Sequence, residues 1–212
     1  MISKEQLTTM LVLQDKLNTT INPKWRTANY PWHRAIMVEA IEALEHYGWK
    51  WWKKQDPDLG QARIELVDIW HFILSNQVTE CSGETEWAAE SLMSRIKLAH
   101  AQPHSVLMKL DLLIGSAAGA QINFDAFVGL MRDFDLSWQQ LYTTYIGKNV
   151  LNLFRQAHGY KEGTYIKTWD GREDNHCLDI LMKGKPDATP EQLYAKLEQI
   201  YATVTAATGV AA

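Results

Sequence analysis

Apolar residues recur along most of the chain at three- and four-residue steps, the period of helices packed on one side. Ser3-Lys4-Glu5-Gln6 has capping-box spacing, and Leu7, Met10, Leu11 and Leu17 follow at helical intervals. Asn22-Pro23 and Tyr30-Pro31 bracket a loop, after which Pro31 suits the first turn of a second helix running to about His46. Gln55-Asp56-Pro57-Asp58 breaks the pattern, and Asp58 with Gln61 caps a third helix that extends to about Val78. Cys81-Ser82-Gly83 separates a fourth, residues 84–101, closed by Pro103. Residues 105–118 and 124–134 read as further helices. Ser137 with Gln140 opens a long helix that Gly159 closes in the C′ position, and Thr189-Pro190-Glu191-Gln192 starts the last one. Residues 160–175 are polar, aromatic and glycine-bearing, and read as a long loop. No run of β-branched alternation demands a sheet, and there is no internal repeat. The expected fold is an all-α helical bundle, a single domain over residues 1–212, with a long polar loop near the C-terminal third.

Composition removes several classes of function. With 46% hydrophobic and 22% charged residues the chain has the mix of an ordinary globular protein. Lys and Arg number 21 against 25 Asp and Glu, so no basic excess exists to neutralise a nucleic-acid backbone. Cys81 and Cys177 are the only cysteines, which argues against a disulfide framework and a cysteine-based zinc site. The opening residues carry no apolar signal core, and no uncharged stretch reaches the roughly 18 residues of a membrane span. A cytoplasmic protein without membrane or nucleic-acid partners is expected. The nine Trp, three of them in Trp49-Lys50-Trp51-Trp52, are expected mostly in core or interface packing.

The candidate chemistry begins with acids. Glu39 and Glu42 on the second helix, and Glu65 and Asp68 on the third, are each spaced i, i+3 and so share a helix face. With 25 acids in 212 residues, roughly three such pairs arise by chance, so context decides. Around the second pair the chain reads Ile64-Glu65-Leu66-Val67-Asp68-Ile69-Trp70-His71-Phe72-Ile73-Leu74, apolar on every side and therefore buried. Carboxylates there each cost several kcal/mol (about that scale) unless paired or metal-bound. An all-oxygen cage suits Mg²⁺ or Mn²⁺ better than zinc. Salt bridges to Arg34 and Arg63 are the structural alternative. A di-iron bundle wants Glu-x-x-His on two helices; His71 follows Asp68 at that interval, but the second helix has no counterpart.

A cationic stripe follows. Lys148, Asn152 and Arg155 fall at i, i+4 and i+7 with Asn149 beside them, and the next segment adds Tyr160, Lys161, Tyr165 and Lys167. Lys148, Arg155, Lys161 and Lys167 match the roughly four negative charges of a nucleoside triphosphate. A solvated helix face is the plain alternative. No glycine-rich phosphate loop is present, so phosphate handling falls to metals and side chains. Gln14 and Asn18 lie on the apolar stripe of the first helix, where an amide needs partners and can read a base edge with both donor and acceptor.

Several ordered segments carry a resemblance: Met10-Leu11-Val12-Leu13-Gln14-Asp15-Lys16-Leu17-Asn18, Glu39-Ala40-Ile41-Glu42, Trp49-Lys50-Trp51-Trp52-Lys53 and Glu65-Leu66-Val67-Asp68-Ile69-Trp70-His71-Phe72. Lys148-Asn149-Val150-Leu151-Asn152-Leu153-Phe154-Arg155-Gln156, Gly159-Tyr160-Lys161, Tyr165-Ile166-Lys167 and Glu173-Asp174-Asn175 continue it. This set resembles the dimeric, all-α dUTP pyrophosphatases, relatives of the MazG-type nucleotide pyrophosphatases. The resemblance implies hydrolysis of dUTP to dUMP and pyrophosphate by a homodimer, with two or more Mg²⁺ ions, or Mn²⁺, held by Glu39, Glu42, Glu65 and Asp68. It implies attack of an activated water on the α-phosphate, with Glu42 and Glu39 as catalytic acids and Glu42 as the base. Lys148, Arg155, Tyr160, Lys161 and Lys167 would hold phosphates. Gln14, Asn18, Phe72 and Asn152 would contact the nucleoside, Phe72 and one of the clustered Trp residues as stacking partners. The alternatives are a dCTP or broader deoxynucleoside triphosphate pyrophosphatase and, outside enzymes, a metal-binding bundle for partner binding. With few aliphatic residues to pin it, the 160–175 segment is expected to order only over a bound triphosphate.

Overall fold

Side-chain caps set the helix starts. In the computed structural model, which describes residues 1–100, 102–185 and 188–208, Ser3 Oγ accepts from the Gln6 backbone N–H at 3.2 Å while Gln6 Oε1 accepts from Ser3 N–H at 3.1 Å. Ser137 with Gln140 and Thr189 with Gln192 repeat the reciprocal box. Asp58 accepts from Gln61 N–H at 3.0 Å. Each such cap contributes on the order of 1 kcal/mol by satisfying an N–H that the first helical turn leaves unpaired.

The helices are α1 (Lys4–Ile21), α2 (Trp32–Tyr47), α3 (Leu59–Glu80), α4 (Thr85–Leu98), α5 (Val106–Ala118), α6 (Phe124–Asp133), α7 (Trp138–Ala157), α8 (Asp174–Gly184) and α9 (Pro190–Thr208). A short 3-10 turn spans Trp25–Thr27, and strands β1 (Thr168–Trp169) and β2 (Arg172–Glu173) make one antiparallel pair. The all-α expectation holds. Helix α4 stops at Leu98, three residues short of the expected end, and Ala101 lies outside the described residues. Helix α7 ends as its glycine foretold: Gly159 sits at φ +82°, and Tyr160 N–H reaches back to the Arg155 carbonyl at 3.0 Å. A Cβ at Gly159 would collide with Thr164 Oγ1.

The chain divides into two compact units, Met1–Asp15 with Lys24–Tyr145, and Lys16–Pro23 with Ile146–Ala212. In the first, α2 packs on α3 and α5, α5 on α6, and α3 on α4 and α6. Helix α3 is apolar all round because it is the buried centre of this unit: Leu66, Val67, Ile69, Trp70, Ile73, Leu74 and Val78 are all withdrawn from solvent. Trp70 stacks on Phe127 with centroids 5.6 Å apart and meets Trp138 edge-on at 5.6 Å.

The second unit is built on Val150, Leu151, Phe154, Trp169, Leu178, Leu193, Leu197 and Tyr201. Its loop is more structured than polarity suggests. Asp170 and Gly171 both hold positive φ, +49° and +73°, as the two central residues of a type I′ hairpin turn require. Aromatic side chains do the pinning that absent aliphatics cannot. Trp169 is 1% exposed and donates its Nε1–H to the Ile166 carbonyl at 2.7 Å. Tyr165 stacks on Tyr201 with centroids 5.2 Å apart. Aromatic contacts thus hold a segment in which the sequence shows few aliphatic anchors, and α8 follows it with no signal singled out in the sequence. Among the described residues no helix is long and apolar enough to cross a membrane.

Candidate active site

In the first unit the i, i+3 spacing on α2 and the apolar setting of α3 bring acids together. Ligand atoms of Glu39, Glu42 and Glu65 all lie within 4.8 Å of one another. Glu65 is 7% exposed, Glu39 half-buried and Glu42 exposed, so the group grades from core to solvent. Asp68, one turn further along α3 and half-buried, lies outside that group of three. Arg63 gives its Nε–H to the Phe134 carbonyl rather than to these acids. His46 is the partner that sequence reasoning missed: its Nε2 is 3.4 Å from Glu65 Oε1. Its position, seven residues after Glu39 and four after Glu42, places it on the same face of α2, and that interval was the available signal.

The amide of Gln14 is buried and its Oε1 lies 2.8 Å from His71 Nδ1 and 3.0 Å from the Tyr145 hydroxyl, which also donates to the Met10 carbonyl at 2.9 Å. The side chains of His71 and Tyr145 meet the oxygen of this amide. His71 Nδ1 is engaged by Gln14, and α2 still offers no Glu-x-x-His counterpart for a di-iron arrangement. Phe72 is half-buried and stacks on Trp32 at 6.3 Å.

In the second unit the cationic stripe of α7 is not a solvated face. Lys148 and Arg155 are 6% and 9% exposed, and Asn18 and Asn149 are buried too. Arg155 forms a two-pronged pair with Asp174: Nε donates to Oδ2 and Nη2 to Oδ1, each at 2.8 Å. Burial alone would pull the guanidinium pKa down, but the hydrogen bond and charge of Asp174 outweigh it and the net shift is up. Arg155 Nη1 also donates to Asn152 Oδ1 at 3.2 Å, and its Cζ lies 5.6 Å from the centre of the Tyr160 ring. Lys161 donates to the Ile21 carbonyl at 2.8 Å, and Lys167 approaches Glu173 at 3.4 Å on the surface. Asp174, fully buried, is the second residue that sequence reasoning left without a role of its own.

The tryptophans split. Trp25, Trp70 and Trp169 are core, whereas Trp49, Trp51 and Trp52 stand exposed in an edge-to-face cluster, Trp51 at 90%. His158 stacks on Phe154 and its Nε2 lies 3.2 Å from Glu198, a packing role. A cavity of about 490 Å³ beside Ile180, Leu181 and Leu193 is lined by none of the predicted site residues.

A helical scaffold carrying an oxygen-only carboxylate group has the donor chemistry that a metal-dependent hydrolase of nucleotides uses. The family model described as dUTPase matches residues 6–160, well over half of the chain, and the chain belongs to that family. It is a hydrolase of nucleotide metabolism that acts on a small nucleotide, a dUTP diphosphatase. Membership implies use of a divalent metal, for which the carboxylate group is the candidate. Comparison with curated proteins finds no match.

Proposed function

We propose that the chain hydrolyses dUTP to dUMP and pyrophosphate in a Mg²⁺-dependent reaction, with Mn²⁺ as a working substitute, centred on Glu39, Glu42, Glu65 and Asp68. One observation carries the reading: carboxylates from two helices converge within 4.8 Å, an oxygen-only donor set that fits a hard divalent cation. Two divalent ions match the four negative charges of Glu39, Glu42, Glu65 and Asp68. Such an ion, when bound, supplies Lewis-acid polarisation of a phosphoryl oxygen and a lowered pKa for the attacking water.

The chain's own residues do the rest. Glu42, the exposed member of the group, accepts the proton of the water that attacks the α-phosphate, and Glu39, on the same helix face, is the second catalytic carboxylate. Lys148, Arg155, Tyr160, Lys161 and Lys167 bind the phosphates by charge and hydrogen bonding. Gln14, Asn18 and Asn152 contact the nucleoside through amides, and Phe72 stacks on the base. The exposed Trp49, Trp51 and Trp52 support a homodimer, because aromatic clusters of this kind favour burial at an interface. The substrate pool is the cytoplasmic one.

Pyrophosphate release from dUTP, dCTP, dTTP and dATP, each with and without Mg²⁺, tests the reading. Release from dUTP alone, dependent on added Mg²⁺, is the expected result. Equal release from dCTP would move the assignment to a broader pyrophosphatase, and undiminished release in excess chelator would remove the metal.

A further inference from the structure

Asp174 lies beyond the 6–160 family match and ties together residues proposed above to bind phosphate. Its side chain is fully buried and its two oxygens accept four hydrogen bonds: from Arg155 Nε and the Tyr165 hydroxyl at Oδ2, and from Arg155 Nη2 and Asn175 N–H at Oδ1, all at 2.8 Å. A carboxylate has about four lone-pair sites, so none is left over. Its own N–H donates to the Lys167 carbonyl at 3.0 Å, which fixes the backbone of a second cationic residue.

A guanidinium has about five N–H donors in a fixed plane. Asp174 takes the Nε/Nη2 edge and Asn152 one N–H of Nη1. The remaining N–H groups, one on Nη2 and one on Nη1, have no partner among the described residues. The two nitrogens that carry them sit at the end of the guanidinium furthest from the side-chain stem. The ring of Tyr160 lies beside this group at 5.6 Å. Such an arrangement holds an arginine still without using it up.

We propose that Asp174, braced by Tyr165, is a positioning residue for triphosphate binding: it grips Arg155 by one edge and leaves the remaining N–H groups for phosphate oxygens. The inference rests on the reading of Arg155 as a phosphate contact. Preorganising the arginine removes the entropy cost of ordering a long side chain when the nucleotide arrives.

Calorimetric titration with a non-hydrolysable α,β-imido dUTP plus Mg²⁺, and separately with deoxyuridine, decides it. The variants are Tyr165→Phe, Asp174→Asn, Arg155→Gln and the charge-neutral double Arg155→Gln/Asp174→Asn. Tyr165→Phe weakens the triphosphate analogue about 2- to 10-fold, because it removes one brace and leaves the ion pair, and Asp174→Asn about 10- to 100-fold, because it removes the charge that grips Arg155. Deoxyuridine affinity stays within about 2-fold of wild type for both variants, as no phosphate contact is at stake. The double variant binds no more weakly than Arg155→Gln, since Asp174 acts through the arginine. Full additivity in the double variant overturns the proposal, as does wild-type binding by both Tyr165→Phe and Asp174→Asn. Wild-type binding by Arg155→Gln instead sinks the phosphate reading itself, and the positioning role with it. Should Asp174→Asn not fold with its arginine unpaired, Tyr165→Phe and the neutral double variant decide the same question.

Discussion

In the first unit three carboxylates from α2 and α3 converge within 4.8 Å, whereas in the second the buried Asp174 is met by a guanidinium, a phenol and a backbone N–H. Glu65 and Asp174 are both buried, and the two arrangements use their acids differently. Asp174 is matched in charge and in hydrogen bonds, which is how a buried ionic group holds a structure in place. The convergent acids gather like charge at one spot, grading outward to the exposed Glu42, which is how a site is left ready for a cation. On the proposed function, the contrast separates a group kept for chemistry from one kept for geometry.

It can be broken by asymmetric effects on activity and stability. The largest effect belongs to Glu42→Gln. Turnover of dUTP falls by about 10²-fold or more, the several kcal/mol that loss of an electrostatic or proton-accepting group in such a site costs. The melting temperature holds or rises, because an exposed like charge has been removed from its neighbours. A large fall in melting temperature would make this acid structural.

Arg155→Ala is expected to do the reverse. It leaves Asp174 charged, buried and unpaired, and costs about 3–5 kcal/mol of stability. The urea midpoint measures it. A shift within the scatter of surface mutants would mean the ion pair is dispensable. The same anchoring predicts slow amide exchange near Trp169 in the ligand-free chain, its indole being buried and hydrogen-bonded. Fast exchange there, slowed only by bound nucleotide, would restore a loop that folds over the substrate.

The smallest effect is a pH slope. Burial first, then the negative charge and hydrogen bond of Asp174, push the Tyr165 phenol above its ordinary value. The folded state therefore keeps this proton where the unfolded chain sheds it near about pH 10. The unfolded state then binds fewer protons, so stability falls as pH rises through that region. Urea midpoints between about pH 9 and about pH 11 should drop less steeply for Tyr165→Phe than for wild type. Identical slopes would leave Tyr165 without this role.

Legibility followed distance along the chain. Ser3 with Gln6, Asp58 with Gln61, and Ser137 with Gln140 were readable because a cap is settled within one helical turn. The acids of α2 and α3 were readable in pairs, since i, i+3 spacing fixes a face, but not as a group of three that leaves Asp68 aside. Arg155 with Asp174 and Gln14 with His71 are 19 and 57 residues apart, and no periodicity reports such a meeting. The 160–175 segment misled in another way. Its Asp170-Gly171 dipeptide signals a hairpin, yet the two-residue strands on either side are too short to show alternation. Its anchors are aromatic, in a stretch whose polarity suggested exposure.

The metal assignment rests on the convergent acids of α2 and α3. Mn²⁺ binding followed by electron paramagnetic resonance, on wild type and on Glu65→Gln with its helical circular dichroism verified, tests it most directly. Wild type should take up Mn²⁺ in the absence of nucleotide and release it to excess Mg²⁺, and Glu65→Gln should lose affinity by about 10-fold or more, as removal of a carboxylate ligand requires. Undiminished Mn²⁺ binding by a folded Glu65→Gln chain would contradict the account.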